Sequence, residues 1–298
     1  MKLLPGSALM MFALWFIAVS AIAEPAGFQL SSTRVVSMPS ELTGRHHELV
    51  ISLPASYADN PDKKYPVLYF IDAYWDMPLL YSIYGNLVWD ALLPELIMVG
   101  FSYGGDQPNF GNLRARDLTP TEDNAEAPGS GDAPKFLQFI KQQVLPYMAE
   151  HYRVNPRERA LGGNSYGGLF TLYAMYQEPE LFGRYIAISP AVIWDDNWLF
   201  QRDANYAEAN KSLPARLFLS QGGDEFAPFK DPILEFGQQL QSRAYRHFSL
   251  LNKTIEGERH TSVKAEGYTR GLRWVFGDIA PTGPSGLEAM MTPTSSSP

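Results

Sequence analysis

The stretch GGNSYGGLF, residues 162–170, decides how this chain is read. Its centre, Gly163-Asn164-Ser165-Tyr166-Gly167, fits Gly-x-Ser-x-Gly, a pattern short enough to arise by chance, so its neighbours must give it meaning. Before it, the run Arg159–Gly163 predicts a strand; after it, Tyr166–Tyr176 (YGGLFTLYAMY) predicts a helix. A serine on a sharp strand-to-helix turn is a nucleophile elbow. Glycines two positions before and after let strand and helix close around a strained central residue. The helix start at Tyr166 also aims free N–H groups and a positive dipole end at the site, which suits a developing oxyanion. The competing reading is a glycine-rich bend in a Rossmann-like fold.

Working outward, short apolar or β-rich runs recur at His47–Leu53, Tyr65–Ile71, Leu96–Phe101, Arg184–Ile188, Ala215–Ser220 and His247–Ile255. Amphipathic helical patterns lie between several of them, and that alternation predicts an α/β fold: a mostly parallel sheet flanked by helices. In Lys135–His151, residues Phe136, Phe139, Ile140 and Val144 fall on one face, and Pro146 predicts a bend in the second half. Asp231-Pro232 reads as the opening of a helix over ILEFGQQLQSRAY, and Thr261 or Ser262 as the cap of one over VKAEGYTRGLRWVF. The polar stretch Thr121–Ala133 reads as a surface loop, and residues 281–298 as a disordered tail with no core to join.

A serine hydroxyl needs a base that is itself oriented by an acid, and on this fold the chain order is Ser, acid, His. Of the five histidines, only His247 and His260 lie beyond a suitable acid. His247 falls inside a predicted strand, whereas His260 stands in the loop GERHTS before a capped helix and is the better base. The acid belongs after the next-to-last strand, where LFLSQGGDEFAPF places Asp224 and Glu225 side by side. One of them faces the imidazole, and the sequence alone does not say which. From Ser165 to Glu225 is 60 residues (225 minus 165) and from there to His260 is 35 (260 minus 225), room for a strand-loop-helix unit in each gap.

Composition narrows the function classes. The 298 residues are 45% hydrophobic and 19% charged, enough for one large domain over residues 24–280. A net charge of −8 with no Lys/Arg-rich run removes nucleic acid as a partner. Lys2, the apolar run Ala8–Ala23 and the small-x-small site Ala21-Ile22-Ala23 read as an export signal over residues 1–23. The run falls short of the roughly 20 residues of a spanning helix, so no membrane span is expected once it is removed, and a periplasmic or secreted location is. With no cysteine, disulfides, thiolate catalysis and Cys-ligated metal drop out. No feature speaks to oligomeric state.

The segments YPVLYFIDA (65–73), IMVGFSY (97–103), RARDLTPT (114–121), GGNSYGGLF (162–170), AISPAVIW (187–194), QGGDE (221–225) and GERHTSV (257–263) run in the order of the putative-esterase family. The chain resembles that family of α/β-hydrolases, which holds esterase D, enterochelin and salmochelin esterases, feruloyl esterases and mycolyltransferases, and it is most similar to the branch of siderophore esterases. The resemblance implies an α/β-hydrolase fold with a short cap. It implies Ser165 as nucleophile, His260 as base and Glu225 as acid. The oxyanion hole would be the N–H of Tyr166 with one from Ala73 or Tyr74, where the family's Leu-Asp-Gly is replaced by Ile71-Asp72-Ala73. Arg114 and Arg116 are expected either to meet an anionic substrate or to form structural ion pairs. Trp194, Trp198 and Phe200 either line an aromatic wall or join the core. The function expected is that of a serine ester hydrolase working through an acyl-enzyme on a small-molecule ester, without metal or organic cofactor. A siderophore trilactone or another bulky polar ester is the expected substrate. A general carboxylesterase, a feruloyl or acetyl sugar esterase, an acyl transferase and a catalytically silent binding protein are the alternatives.

Overall fold

The computed structural model describes residues 29–292; the expected export signal lies outside the described residues. In chain order the elements are β1 (Thr33–Ser40), β2 (Arg45–Ser52), β3 (Tyr65–Phe70), α1 (Ala73–Trp89), β4 (Ile97–Tyr103) and α2 (Phe110–Leu118). Next come α3 (Ala133–Phe139), α4 (Leu145–His151), β5 (Val154–Asn164), α5 (Tyr166–Gln177), β6 (Gly183–Ile188) and α6 (Trp194–Ala209). The chain continues through β7 (Ser212–Gly222), α7 (Ala227–Ser242), β8 (Arg246–Ile255), α8 (Val263–Phe276) and the short α9 (Gly286–Met291).

Among the described residues, eight strands form one sheet in the order β1-β2-β4-β3-β5-β6-β7-β8. From β4 to β8 the pairing is parallel, while β1 and β2 join antiparallel at one edge. This is the expected α/β architecture. The strands alternate as a two-sided sheet must: Val67 and Tyr69 face one core layer, Leu68 and Phe70 the other. Helices α1 and α8 cover one face, and α3, α4, α5, α6 and α7 the opposite one. The strand order reverses at β3, which has β4 on one side and β5 on the other. At such a switch point the connections leave the sheet in opposite directions and open a crevice at the carboxyl ends of the strands.

Sequence and structure differ at identifiable places. Strand β1 was absent from the apolar runs because its exposed alternation, with Val35 outward, gives a weak signal. The Lys135–His151 face is buried as expected, but the irregularity precedes Pro146. Residues Ile140–Val144 form a wider π turn in which Leu145 N–H reaches back to Ile140 O. The ring of Pro146 offers no N–H to a regular helix, so the register opens just before it. Helix α7 begins at Ala227, with Pro228 in its first turn, so Asp231-Pro232 lies inside the helix and does not open it. Ser262 does stand before α8, but its hydroxyl accepts from Arg259 N–H rather than capping the helix. Within the segment expected to be a tail, α9 opens with a capping box between Ser285 and Glu288 and sets Gly286 against the Trp89 indole. Residues 293–298 lie outside the described residues.

Candidate active site

The sheet lays the functional groups out in strand order. Asp72 follows β3, Ser165 follows β5, Ser189 follows β6, Glu225 follows β7 and His260 follows β8, all at the carboxyl edge. Neighbouring strands sit about 4.8 Å apart, so residues distant in sequence arrive within side-chain reach.

Ser165 occupies the turn between β5 and α5 with φ 59° and ψ −119°, a conformation L-residues avoid at a cost of about 1–3 kcal/mol. Three backbone bonds impose it. Ser165 N–H donates to Ile188 O at 3.1 Å, and Ser165 O accepts from Leu169 N–H at 2.9 Å and Ala191 N–H at 3.2 Å. The pattern's first glycine has a steric cause, because a Cβ on Gly163 would lie 2.6 Å from the Gly167 carbonyl carbon. The helix that follows is buried from Gly167 to Tyr176, so the elbow cannot relax by moving it.

Glu225 is the buried member of the acidic pair, and Asp224 is exposed. Glu225 Oε2 lies 3.1 Å from His260 Nδ1, while Oε1 accepts from Gly222 N–H at 2.7 Å and from the Ser189 hydroxyl. Burial pushes this carboxyl upward, but the bonds from His260, Ser189 and Gly222 outweigh it and hold it below the ordinary glutamate value. An ionised carboxylate only accepts, so Nδ1 carries the proton and Nε2 is left as the base. The Phe229 ring meets the imidazole edge-on at 4.8 Å. Asn164 Nδ2 donates to both Ile188 O and His260 O, each at 3.2 Å, and so ties the residue before the nucleophile to the loop of the base. His247 is exposed on β8. His47, 3.9 Å from Asp117, is buried and driven down to about 3 by burial and by Arg45 and His46, so it stays neutral in the core.

The expected oxyanion donors lie where β3 passes into α1 and where β5 passes into α5. Asp72 caps α1 in the left-handed region at φ 63°, and its carbonyl accepts from Trp75 and Asp76 N–H, both at 2.9 Å. The N–H groups of Ala73 and Tyr74, like that of Tyr166 in α5, belong to first turns that offer no intrahelical partner. The two helix starts are adjacent, since a Cβ on Gly167 would lie 3.1 Å from Ile71 Cβ. Arg114 Nε bonds Asp72 Oδ1 at 2.7 Å, and its guanidinium lies 5.8 Å from the Tyr166 ring centroid. It therefore bridges the two elements that present these N–H groups. Burial pushes Asp72 up while Arg114 pulls it down, leaving it above the ordinary aspartate value. Behind Ala73, buried Asp76 bonds Lys264 at 2.5 Å and Tyr268 at 2.8 Å, joining α1 to the helix after His260.

Other expected positions fall elsewhere. Arg116 faces solvent 3.7 Å from Asp132, while Asp117 pairs with Arg45. Trp194 is 1% exposed, its indole N–H donates to Thr121, and its ring meets Tyr166 edge-on at 5.5 Å. It supports the elbow from within the core and cannot line a substrate wall. Trp198 and Phe200 also pack against the core. Ser189, Asn164 and Asp72 escaped the sequence reading. The signal for Ser189 was a polar residue ending the apolar run Tyr185–Ile188, inside a segment already noted.

Beside the base opens a cleft of about 510 Å³ lined by Asp224, Glu225, Phe226, Phe229, Arg259 and His260. A hollow of about 540 Å³ between α1 and Ser31-Ser32 contains none of these groups. A serine on a strained turn, an imidazole held by a buried carboxylate and two helix starts with free N–H groups are the kind of groups that acyl transfer uses.

The profile of the family described as Putative esterase matches residues 40–265. The chain is 27% identical to the ferri-bacillibactin esterase BesA of Bacillus subtilis, over 86% of this chain and 93% of that protein. It is 29% identical to the siderophore triacetylfusarinine C esterase of Aspergillus fumigatus, over 68% and 82%. The IroE-like serine hydrolase from Shewanella oneidensis superposes with a TM-score of 0.75 at 25% identity, covering 84% of this chain and 81% of that one. The chain belongs to the Putative esterase family, has the α/β-hydrolase fold and is a carboxylic ester hydrolase.

Proposed function

We propose that this protein is an exported serine esterase that opens the ester bonds of a siderophore through an acyl-enzyme. The observation that carries the mechanism is the buried Glu225 bonded to His260 Nδ1, at the same carboxyl edge of the sheet as the strained Ser165. Glu225 fixes the tautomer, and Nε2 takes the Ser165 proton as Oγ attacks the ester carbonyl. The N–H groups of Tyr166 and of Ala73 or Tyr74 hold the oxyanion. His260 then protonates the leaving alcohol, and water repeats the sequence to release the acid. Arg114 keeps both Nη nitrogens free of hydrogen bonds among the described residues, so it can meet an anionic acyl group while Nε holds Asp72. Two relatives whose names specify siderophore esters support the substrate class. The export reading rests on residues 1–23.

The test is hydrolysis of p-nitrophenyl esters from acetate to octanoate, with ferric and iron-free enterobactin in parallel, by the parent chain and Ser165→Ala. The expected result is cleavage of both classes, with kcat falling by roughly 10⁵-fold or more in the variant. Cleavage of short esters alone keeps the mechanism and leaves a general carboxylesterase. Activity surviving in Ser165→Ala overturns the mechanism. N-terminal sequencing of protein recovered outside the cytoplasm should begin at Glu24, and an intact Met1 there rejects signal cleavage.

A further inference from the structure

The cleft beside His260 contains side chains that the catalytic steps leave unused. Phe226, the residue before α7, is 75% exposed, an unusual position for a phenyl ring. Phe229 stands edge-on to the imidazole and lines the same cleft. Arg259 is exposed, and its guanidinium makes no ion pair or hydrogen bond among the described residues. The remaining polar groups are Asp224, which faces solvent, and Glu225, whose oxygens are committed to His260, Ser189 and Gly222.

Which half of the ester enters this cleft follows from the proton transfer. When the tetrahedral intermediate collapses, its C–O bond to the alcohol oxygen breaks. The electron pair goes to that oxygen, and the proton comes from His260 Nε2. The leaving oxygen must therefore stand within about 3 Å of that nitrogen, so the alcohol departs on the base side while the carbonyl oxygen points to the helix starts. Two phenyl rings and an unpaired guanidinium form a surface for a flat π system: the rings pack edge or face against it, and the guanidinium stacks on its face.

Resting on the serine-esterase reading, we propose that Phe226, Phe229 and Arg259 form the subsite for the alcohol half of the ester, and that this half carries a planar aromatic ring. Benzyl acetate and cyclohexylmethyl acetate share an acyl group and differ in the alcohol only by planarity. Methyl phenylacetate and methyl cyclohexylacetate place the same contrast on the acyl half. The parent chain should favour benzyl over cyclohexylmethyl acetate about tenfold in kcat/KM, and the ratio should fall toward one in Arg259→Gln and in Phe226→Ala. The acyl-side ratio should stay unchanged in both variants. Equal rates in the parent, a preference that survives both substitutions, or an acyl-side ratio that falls in parallel overturns the proposal. If Ser165→Ala hydrolyses these esters like the parent, the esterase reading fails instead. Titration of that variant with benzyl alcohol against cyclohexylmethanol then decides the subsite by itself, and equal affinities overturn it.

Discussion

Ser165 and His260 are held in opposite ways. The serine is fixed by backbone: a positive φ, three main-chain hydrogen bonds and a glycine with no space for a methyl group. The histidine is fixed by side chains. Its ring, 40% exposed, rests on one carboxylate and one phenyl edge. A nucleophile must attack along one line and gains from rigidity, whereas a base must serve first the serine and then the leaving oxygen, so a ring pivoting on a fixed carboxylate suits it. The difference locates fragility. The elbow should fail by losing the fold, and the base by losing rate alone.

Glu225→Gln breaks that comparison most severely if it holds, since it removes the charge and, with the remaining oxygen kept by Gly222 N–H and Ser189, turns a donor amide toward His260 Nδ1 while leaving shape intact. The expected loss is about 10³–10⁴-fold in kcat with little change in KM, checked by steady-state kinetics. Asp224→Asn alongside should change kcat by less than about twofold, and an equal loss in the two would reassign the acid.

Gly163→Ala tests the other side. The added Cβ meets backbone, which cannot swing aside, so the expected cost is about 1–3 kcal/mol in denaturant unfolding, with activity lost as well. Full stability in this variant would remove the steric account of the elbow. Asn164→Ala lies where the two regimes meet, because its amide joins the elbow to the His260 loop. We expect a loss of about 1 kcal/mol in stability, with kcat falling further than KM rises.

The smallest expected effect is in pH. The Glu225 carboxyl is held below its ordinary value of 4.5, so its stabilising share is fully present above about that pH. It is lost as pH falls through the lower folded value. Asp72 and Asp76, raised chiefly by burial, act in the opposite sense, but they are common to parent and variant. The gap in thermal midpoint between the parent and Glu225→Gln should therefore narrow between pH 7 and pH 3. A constant gap would show that the carboxylate is not held in its charged form.

Much of the machinery was legible in residue order. The elbow could be read because contiguous residues spell it, and His260 because it follows the last strand. Several partners could not be read. Asp224 and Glu225 carry the same chemistry one residue apart, and only the turn after β7 together with Ser189 from β6 buries one of them. Arg114 was expected to meet substrate or to form a structural ion pair, and the partner that the sequence could not name is Asp72, 42 residues away. Trp194 could be read as pocket wall or as core, and burial places it in the core.

By itself, then, the sequence determined the alternation that makes a parallel sheet, the strained turn at Ser165 and the candidates for nucleophile and base. These depend on backbone preferences and apolar periods that adjacent residues encode. The tertiary structure alone decided which carboxylate bonds His260, which arginine braces the helix start after β3 and which aromatic rings face the cleft. Those outcomes depend on strand order, with the reversal at β3 bringing the ends of β3 and β5 together and β6 to β8 continuing the row. Neighbours created by a sheet can be far apart in the chain, as Lys264 and Asp76 are at 188 residues, and no local pattern records such a pairing.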